Sequence, residues 1–298
     1  MALSSSERGY ASALASVVIW ALVPVGTRFF VLRVDPHMFN VIRFAAAGGA
    51  ALPMFAYAKP WRWPRRDQLL LLACAILAVP GYNIPVALGA RAVPGGELGV
   101  LIATEPVMIV ALTLLLHRRL MHWRVIGGSL MALAGVLLTS GVLSTAAGFK
   151  WFSTLQVLCG ALSWSSYTVL AVRLNQRYGT FGVTGAILVV GSLVLLALSL
   201  PMIDSTMTPD AATTLMLAGM GLSSSLLGFL LWNFAGAVVP AERLGLFLYL
   251  LPVVSVLAGV EFLRESLTAQ ILAGGCLIIL GVWIASRSTR SVPTAVTE

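Results

Sequence analysis

The sequence predicts an all-α polytopic membrane protein, with ten transmembrane helices forming two inverted five-helix repeats around a central cavity. Three observations carry this. The 298 residues are 59% hydrophobic and 10% charged, with a mean hydropathy of +0.94, whereas soluble domains carry roughly 25% charged residues. The apolar residues come in long unbroken runs. One half of the chain also resembles the other.

A bilayer is crossed by helices of ~20 apolar residues or by closed barrels of ~10-residue alternating strands. These runs show no period-two alternation, so helices are the reading. The candidate spans are Tyr10–Phe30, His37–Tyr57, Gln68–Leu88, Gly95–Leu116, Trp123–Gly141, Trp151–Val172, Thr180–Leu200, Ala211–Ala235, Leu244–Phe262 and Thr268–Ser286. The start, MALSSSERGY, runs into the first span without a small-residue cleavage signature, so that span is expected to be retained. Cys74, Cys159 and Cys276 fall in three different spans and offer neither a disulfide framework nor metal-ligand spacing. They read as buried small hydrophobes.

The net charge of +8 does not point to nucleic acid. With the N-terminus inside, thirteen basic residues fall in cytoplasmic segments and four (Arg33, Arg91, Lys150 and Arg264) in outer loops, leaving Arg28 and Arg43 within spans. This is the positive-inside bias of a multi-pass protein with both termini cytoplasmic.

The repeat is direct in sequence. "VPGGELGVLIATEPVMIVAL" (Val93–Leu112) aligns without gaps to "VPAERLGLFLYLLPVVSVLA" (Val239–Ala258), matching Pro94 to Pro240, Gly99 to Gly245 and Pro106 to Pro252. The same offset pairs Gly128 with Gly274 and Gly135 with Gly281, and a looser match near the starts of the halves pairs Trp20 with Trp164. The expected organisation is a first repeat over 1–141, a linker over 142–150, a second repeat over 151–286 and a cytoplasmic tail over 287–298. An odd span count turns the second repeat over, which is the architecture of an alternating-access carrier.

The last third, with Pro252-Val253, "LRESLT" (Leu263–Thr268) and the glycines Gly274 to Gly281, resembles the drug/metabolite transporter superfamily in its EamA-type branch. Trp20, "VIRFAAA" (Val41–Ala47) and "EPVMIVAL" extend the resemblance through the first half. Arg119 stands where the second repeat has Glu265, so the first repeat lacks that turn's acid. The resemblance implies export of amino acids, metabolites or drugs across a bacterial inner membrane, the amino-acid exporter type, including aromatic amino acid exporters, being nearest in outline. It also implies a cavity lined by spans one, three, four, six, eight and nine, with five and ten as scaffold.

The residues supply candidates for the cavity on their own. A carboxylate in mid-span costs about 2.5–3.5 kcal/mol on insertion scales, so Glu105 should face the bundle interior or water. Pro106 beside it breaks the helical hydrogen bonding. Three roles fit Glu105: partner for a substrate ammonium, proton-accepting coupling group, or structural ion-pair partner. Arg43 is one potential partner, although pairing with Glu97 or snorkelling outward would equally satisfy it. Leu251 is the second-half counterpart of Glu105, which makes the cavity electrostatically lopsided.

Tyr82 and Asn83 lie between Pro80 and Pro85, where a loosened segment would offer them as ligand donors. Trp20, Trp164, Tyr167 and Tyr249 lie inside the spans and suit aromatic walls, with helix packing as the bland alternative. Trp61, Trp63, Trp123, Trp151, Tyr57 and Tyr178 sit at span ends, where rings anchor at headgroups. Ser223, Ser224 and Ser225 sample three directions around the eighth span, Ser224 being the candidate ligand; Thr104, Ser163 and Ser165 are similar. Pro85, Pro106 and Pro252 are candidate hinges. The glycine pairs would let helices approach closely, in the scaffold or at a subunit contact.

Competing classes find little support. His37, His117 and His122 fall at span ends, so no intramembrane histidine is placed to activate a serine. No HExxH-like spacing or acid cluster suggests a metal. No catalytic residue, metal or cofactor is expected. No ATP-binding loop is present, so gradients would supply the energy. A passive channel would call for oligomeric symmetry or rings of charge. The partners expected are a small-molecule substrate and membrane lipid, not nucleic acid, for a monomer or a homodimer. A reporter fused after Glu298 should read as cytoplasmic; a periplasmic reading would remove the inversion or one of the spans.

Overall fold

A computed structural model describes residues 5–116, 123–139, 150–239, 248, 250–264 and 266–286. Among these residues every regular element is helical. Six helices are long and apolar enough to cross a membrane: Glu7–Val31, Arg65–Gly89, Gly95–Leu116, Trp151–Tyr178, Thr180–Met202 and Ala211–Val238. Pro36–Ala50 with Leu52–Arg62, bent by 50°, makes a seventh if the pair is one span.

The elements are α1 (Ser5–Ala21), α2 (Val23–Val31), α3 (Pro36–Ala50), α4 (Leu52–Ala58), α5 (Arg65–Ala78), α6 (Pro80–Gly89), α7 (Gly95–Ile102) and α8 (Glu105–Leu116) in the first half. Then come α9 (Trp123–Thr139), α10 (Trp151–Tyr178), α11 (Thr180–Ser199), α12 (Ala211–Met220), a π-helical turn (Gly221–Leu227), α13 (Gly228–Val238), α14 (Leu250–Leu263) and α15 (Ala269–Ser286).

The first four helix pairs break in one way. Pro24, Pro53, Pro80 and Pro106 each stand at the first or second position of the segment after the break. Proline is tolerated there because its missing N–H would have had no intrahelical partner. The residue before a proline is steered out of the helical region, and Val79, at φ −105° and ψ −80°, is bent in that sense. The loosened stretch expected between Pro80 and Pro85 is therefore misplaced. The break is at Val79, and Tyr82, Asn83 and Pro85 sit within α6. Pro252 lies in the first turn of α14, while Tyr249 and the 142–149 linker lie outside the described residues.

Caps fix the other ends. Asp35 Oδ1 accepts from the backbone N–H groups of His37 (2.9 Å) and Met38 (3.0 Å) at the start of α3. Asp210 does the same for Thr213 on α12 (2.8 Å). In the "LRESLT" turn, Thr268 Oγ1 accepts from the Ile271 N–H at 3.2 Å and so caps α15.

The two halves interleave. α6 packs on α10, α3 on α11, α1 on α13, α7 on α14 and α9 on α15. The glycine faces of the last pair meet each other: a Cβ on Gly135 would stand 2.5 Å from the Gly274 carbonyl and 2.9 Å from the Ile278 nitrogen. These glycines therefore serve the scaffold within one chain.

At one end of the bundle, buried Asp67 joins the halves. It receives Arg177 Nη1 at 2.7 Å and the Tyr178 hydroxyl at 2.6 Å. Trp63 stacks on Tyr178 with ring centres 3.9 Å apart. Trp63 is buried, so its expected role as a headgroup anchor is corrected, whereas Tyr57, Trp61, Trp123 and Trp151 are exposed. Cys74 is buried, but Cys159 and Cys276 lie on the outside of the bundle, against expectation; a thiol is apolar enough to face lipid. His37 Nδ1 lies 3.3 Å from Ser199 Oγ, a contact the sequence reading did not foresee. Both side chains are buried where α3 begins and α11 ends, so the contact joins helix ends rather than opening onto a cavity.

Gly135→Leu should lower the thermal stability of the detergent-solubilised protein by about 1–3 kcal/mol through overpacking against α15. Gly127→Ala, on the open side of the same helix, should be neutral or slightly stabilising. Equal behaviour of the two variants would remove the α9–α15 contact from the scaffold.

Candidate functional site

The breaks before Pro24, Pro80 and Pro106 meet the π-helical turn around one small cavity of about 60 Å³. Trp20 ends α1, Tyr82 and Asn83 follow the break at Val79, Glu105 opens α8, and Ser224 and Ser225 belong to the π-helical turn; all of them line it. Arg43 and Phe44 on α3, Trp164 on α10, Phe229 on α13, and Leu248 and Leu251 close the walls. A pocket of this kind, mostly apolar with a few convergent polar groups, is the usual form of a small-molecule site.

Glu105 is where hydrocarbon would tolerate it least, and the backbone explains how it is placed. Ala103 and Thr104 interrupt the span, so Glu105 becomes the first residue of a new helix, where a carboxylate suits the positive end of the helix dipole. Thr104 Oγ1 donates to the Leu101 carbonyl at 2.8 Å, and Ser165 Oγ on α10, which donates to the Ala161 carbonyl of its own helix at 2.7 Å, lies 3.2 Å from the Glu105 carbonyl. The side chain is only 4% exposed, and its Oε1 has no hydrogen-bond partner.

Arg43 is also 4% exposed, but it does not pair with Glu105. Its Nη2 donates to Ser224 Oγ at 3.3 Å and reaches Ser225 Oγ at 3.5 Å, and its Nε has no partner. The guanidinium lies 4.9 Å from the Phe39 ring centre and 5.4 Å from that of Phe44. Pairing with Glu105 or Glu97 and outward snorkelling are all corrected by this geometry: Arg43 turns inward, held by rings and hydroxyls. Tyr82 lines the same cavity as Arg43 and Glu105.

The apolar wall is a cluster of rings. Trp20 meets Trp164 edge-on at 5.5 Å, and Trp164 contacts Tyr82 at 5.5 Å and Phe229 at 5.0 Å. Trp20 also caps the break opposite, its Nε1 donating to the Ser224 carbonyl at 2.9 Å. The two tryptophans paired by the repeat thus touch across the cavity.

The cavity thus holds a carboxyl oxygen and a guanidinium nitrogen without hydrogen-bond partners, among rings and broken helices. The model of the EamA-like transporter family matches twice, over residues 7–141 and 151–287. The chain belongs to the EamA-like transporter family. An "Uncharacterized transporter" of Archaeoglobus fulgidus is 26% identical to this EamA-like transporter over 272 residues, covering 91% of this chain and 96% of the relative. A protein of Streptantibioticus cattleyicolor described as a "Probable terminal-alkyne amino-acid exporter" is 28% identical over 285 residues, covering 92% and 95%. A solved crystal structure has the same fold, with a TM-score of 0.68 at 20% identity, covering 95% of this chain and 99% of the other.

This EamA-like transporter brings Trp20, Tyr82, Asn83, Glu105, Trp164 and Ser224 together at the cavity. Thr104, Ser163 and Tyr167 are not on its wall. Thr104 is bonded to its own helix, and Ser163 lies beside Gly81 on α6. Tyr167 sits one layer behind, its hydroxyl 3.4 Å from Asn233 Oδ1, and Asn233 Nδ2 donates to Thr184 Oγ1 at 2.8 Å. Asn83 lines the cavity, but its Nδ2 donates to the Val79 carbonyl at 2.9 Å, beside its own N–H at 3.0 Å, so its amide is held at the break rather than pointing freely. Of the serine triplet, Ser223 turns outward and the other two turn inward. Sequence reasoning named the triplet but singled out Ser224 alone, and it missed Phe44 and Phe229; the π-helical turn that carries both inward serines is invisible in residue spacing.

Trp20→Phe should cost about 0.5–1.5 kcal/mol of stability by removing the hydrogen bond to the Ser224 carbonyl. Trp20→Ala should cost about 3–5 kcal/mol, adding a cavity to that loss. Thermal unfolding in detergent measures both, and no change in either variant would make Trp20 a bystander to the break.

Proposed function

We propose that this transporter exports small amphiphilic metabolites, with amino acids bearing apolar or aromatic side chains as its substrates, by alternating access. The observation that carries this is the buried Glu105 carboxylate, which has an oxygen without a partner in a cavity walled by Trp20, Trp164, Tyr82 and Phe229. A substrate ammonium supplies the missing partner, and the rings take the side chain, with a cation–π contribution to the ammonium. The description of the Streptantibioticus cattleyicolor relative as a probable amino-acid exporter is in keeping with this reading.

In this reading ten spans form two inverted repeats, 1–141 and 151–286, joined by 142–150, with the tail and both termini cytoplasmic. The double match of the family model, the Trp20–Trp164 contact and the α9–α15 pairing support it. Pro106 and Pro252 act as the hinges of equivalent helices, and half-helices beyond them swing to change the open side.

The experiment is uptake of labelled phenylalanine, leucine and other amino acids into liposomes holding the purified protein. Glu105→Gln keeps the shape and removes the charge. It should reduce saturable uptake by about tenfold or more while leaving the protein folded, since a charged hydrogen bond is worth about 1.5–3 kcal/mol. Uptake that survives the substitution would assign Glu105 to architecture. A wild-type protein that moves no amino acid would transfer the cavity to drugs or other metabolites.

A further inference from the structure

The buried guanidinium of Arg43 faces the cavity that holds Glu105, yet the two are not joined. Arginine does not lose its proton in proteins, so this is a fixed cation in a span, and burying one without a counter-charge is costly. Of its five donors, only those on Nη2 meet acceptors among the described residues, and both contacts are long. Hydroxyls are weak recompense for a desolvated cation. Arg43 is held ready without being neutralised.

The surrounding backbone is arranged to bring it there. α3 lies so close to the π-helical turn that a Cβ on Gly221 would run into the Arg43 carbonyl. The turn presents Ser224 and Ser225 side by side. Ser224 gives its proton to the Met220 carbonyl at 2.6 Å, so it faces Arg43 as an acceptor. The Ser225 proton has no acceptor among the described residues and remains available to a ligand. Phe39 and Phe44 restrain the guanidinium plane.

We propose that Arg43 and the Ser225 hydroxyl form a subsite for a substrate carboxylate in the cavity that Glu105 also lines, so that the cavity selects zwitterions over amines of the same shape. This rests on the amino-acid reading above and supplies the half of the substrate that Glu105 cannot hold. A planar guanidinium meets a carboxylate through two parallel hydrogen bonds, a geometry that lysine does not reproduce. The bound zwitterion gives each buried charge its counter-charge without requiring the two to approach one another.

The test is competition against labelled phenylalanine uptake in liposomes, using unlabelled phenylalanine, phenylalaninamide (no carboxylate) and 3-phenylpropionate (no ammonium). In wild type, phenylalanine should compete about tenfold or more better than its amide. Arg43→Gln should weaken phenylalanine by a similar factor and bring acid and amide to within about twofold of each other. Arg43→Lys should restore part of the preference.

An amide that competes as well as phenylalanine in wild type overturns the subsite and leaves the amino-acid carrier standing. So does an Arg43→Gln protein that still prefers the acid. If Arg43→Gln does not fold, the wild-type competition decides alone, and Ser225→Ala should narrow the preference in the same direction. Wild-type protein that takes up no phenylalanine or other amino acid overturns the amino-acid reading, and the subsite falls with it.

Discussion

Hydrocarbon supplies no hydrogen-bond partner, so polar side chains inside the bundle must find theirs within the protein, and here they find backbone carbonyls. The rest of the site depends on how that demand is met. Trp20 Nε1 donates to the Ser224 carbonyl, and Asn83 Nδ2 to the Val79 carbonyl, which also takes the Asn83 N–H. Ser16 and Ser12 on α1 donate to the Gly228 and Leu231 carbonyls of α13, at 3.1 and 2.9 Å. Trp20 and Asn83 thus line the cavity and tie down the backbone beside it. Irregular backbone and binding surface occur together here because one makes the other possible.

The second constraint is electrostatic. A buried carboxyl group and a buried guanidinium line one small space, and the fold keeps them apart with serines on one side and a helix start on the other. Leu251, the repeat counterpart of Glu105, faces the same space and contributes no charge. Two halves that match the same family model therefore meet at an asymmetric site. Such asymmetry orients a ligand with one end unlike the other, whereas two identical halves would leave it two equivalent poses.

Much of this was legible in the sequence. Pro106 beside Glu105 announced a broken span with a polar purpose, and the repeat paired Trp20 with Trp164 before any coordinates placed their rings 5.5 Å apart. What spacing could not reveal was the phase of each helix. The faces of Ser163, Thr104 and Tyr167 turn on a few tens of degrees of rotation, set by contacts such as Ser163 against Gly81. Arg43 was visible as a cation in a span, but its partner depended on the π-helical turn, which adds residues to one turn and shifts the register of everything after it. Cys159 and Cys276 face outward because apolar composition does not distinguish the inside of a bundle from its lipid-facing side.

The interleaving of the halves has a consequence for how the molecule comes into being. Membrane helices insert first and associate afterwards, and here α1 finds its partner in α13, α3 in α11 and α9 in α15. When the ribosome has finished the first half, those helices are in the bilayer with their mating faces still against lipid. Arg43 and Glu105 are then already synthesised, while the π-helical turn and Trp164 are not. The nascent first half is therefore a waiting state, with its charged groups satisfied by water, headgroups or insertion machinery until the second half arrives. The cavity is closed by side chains of the second half around the charged groups of the first.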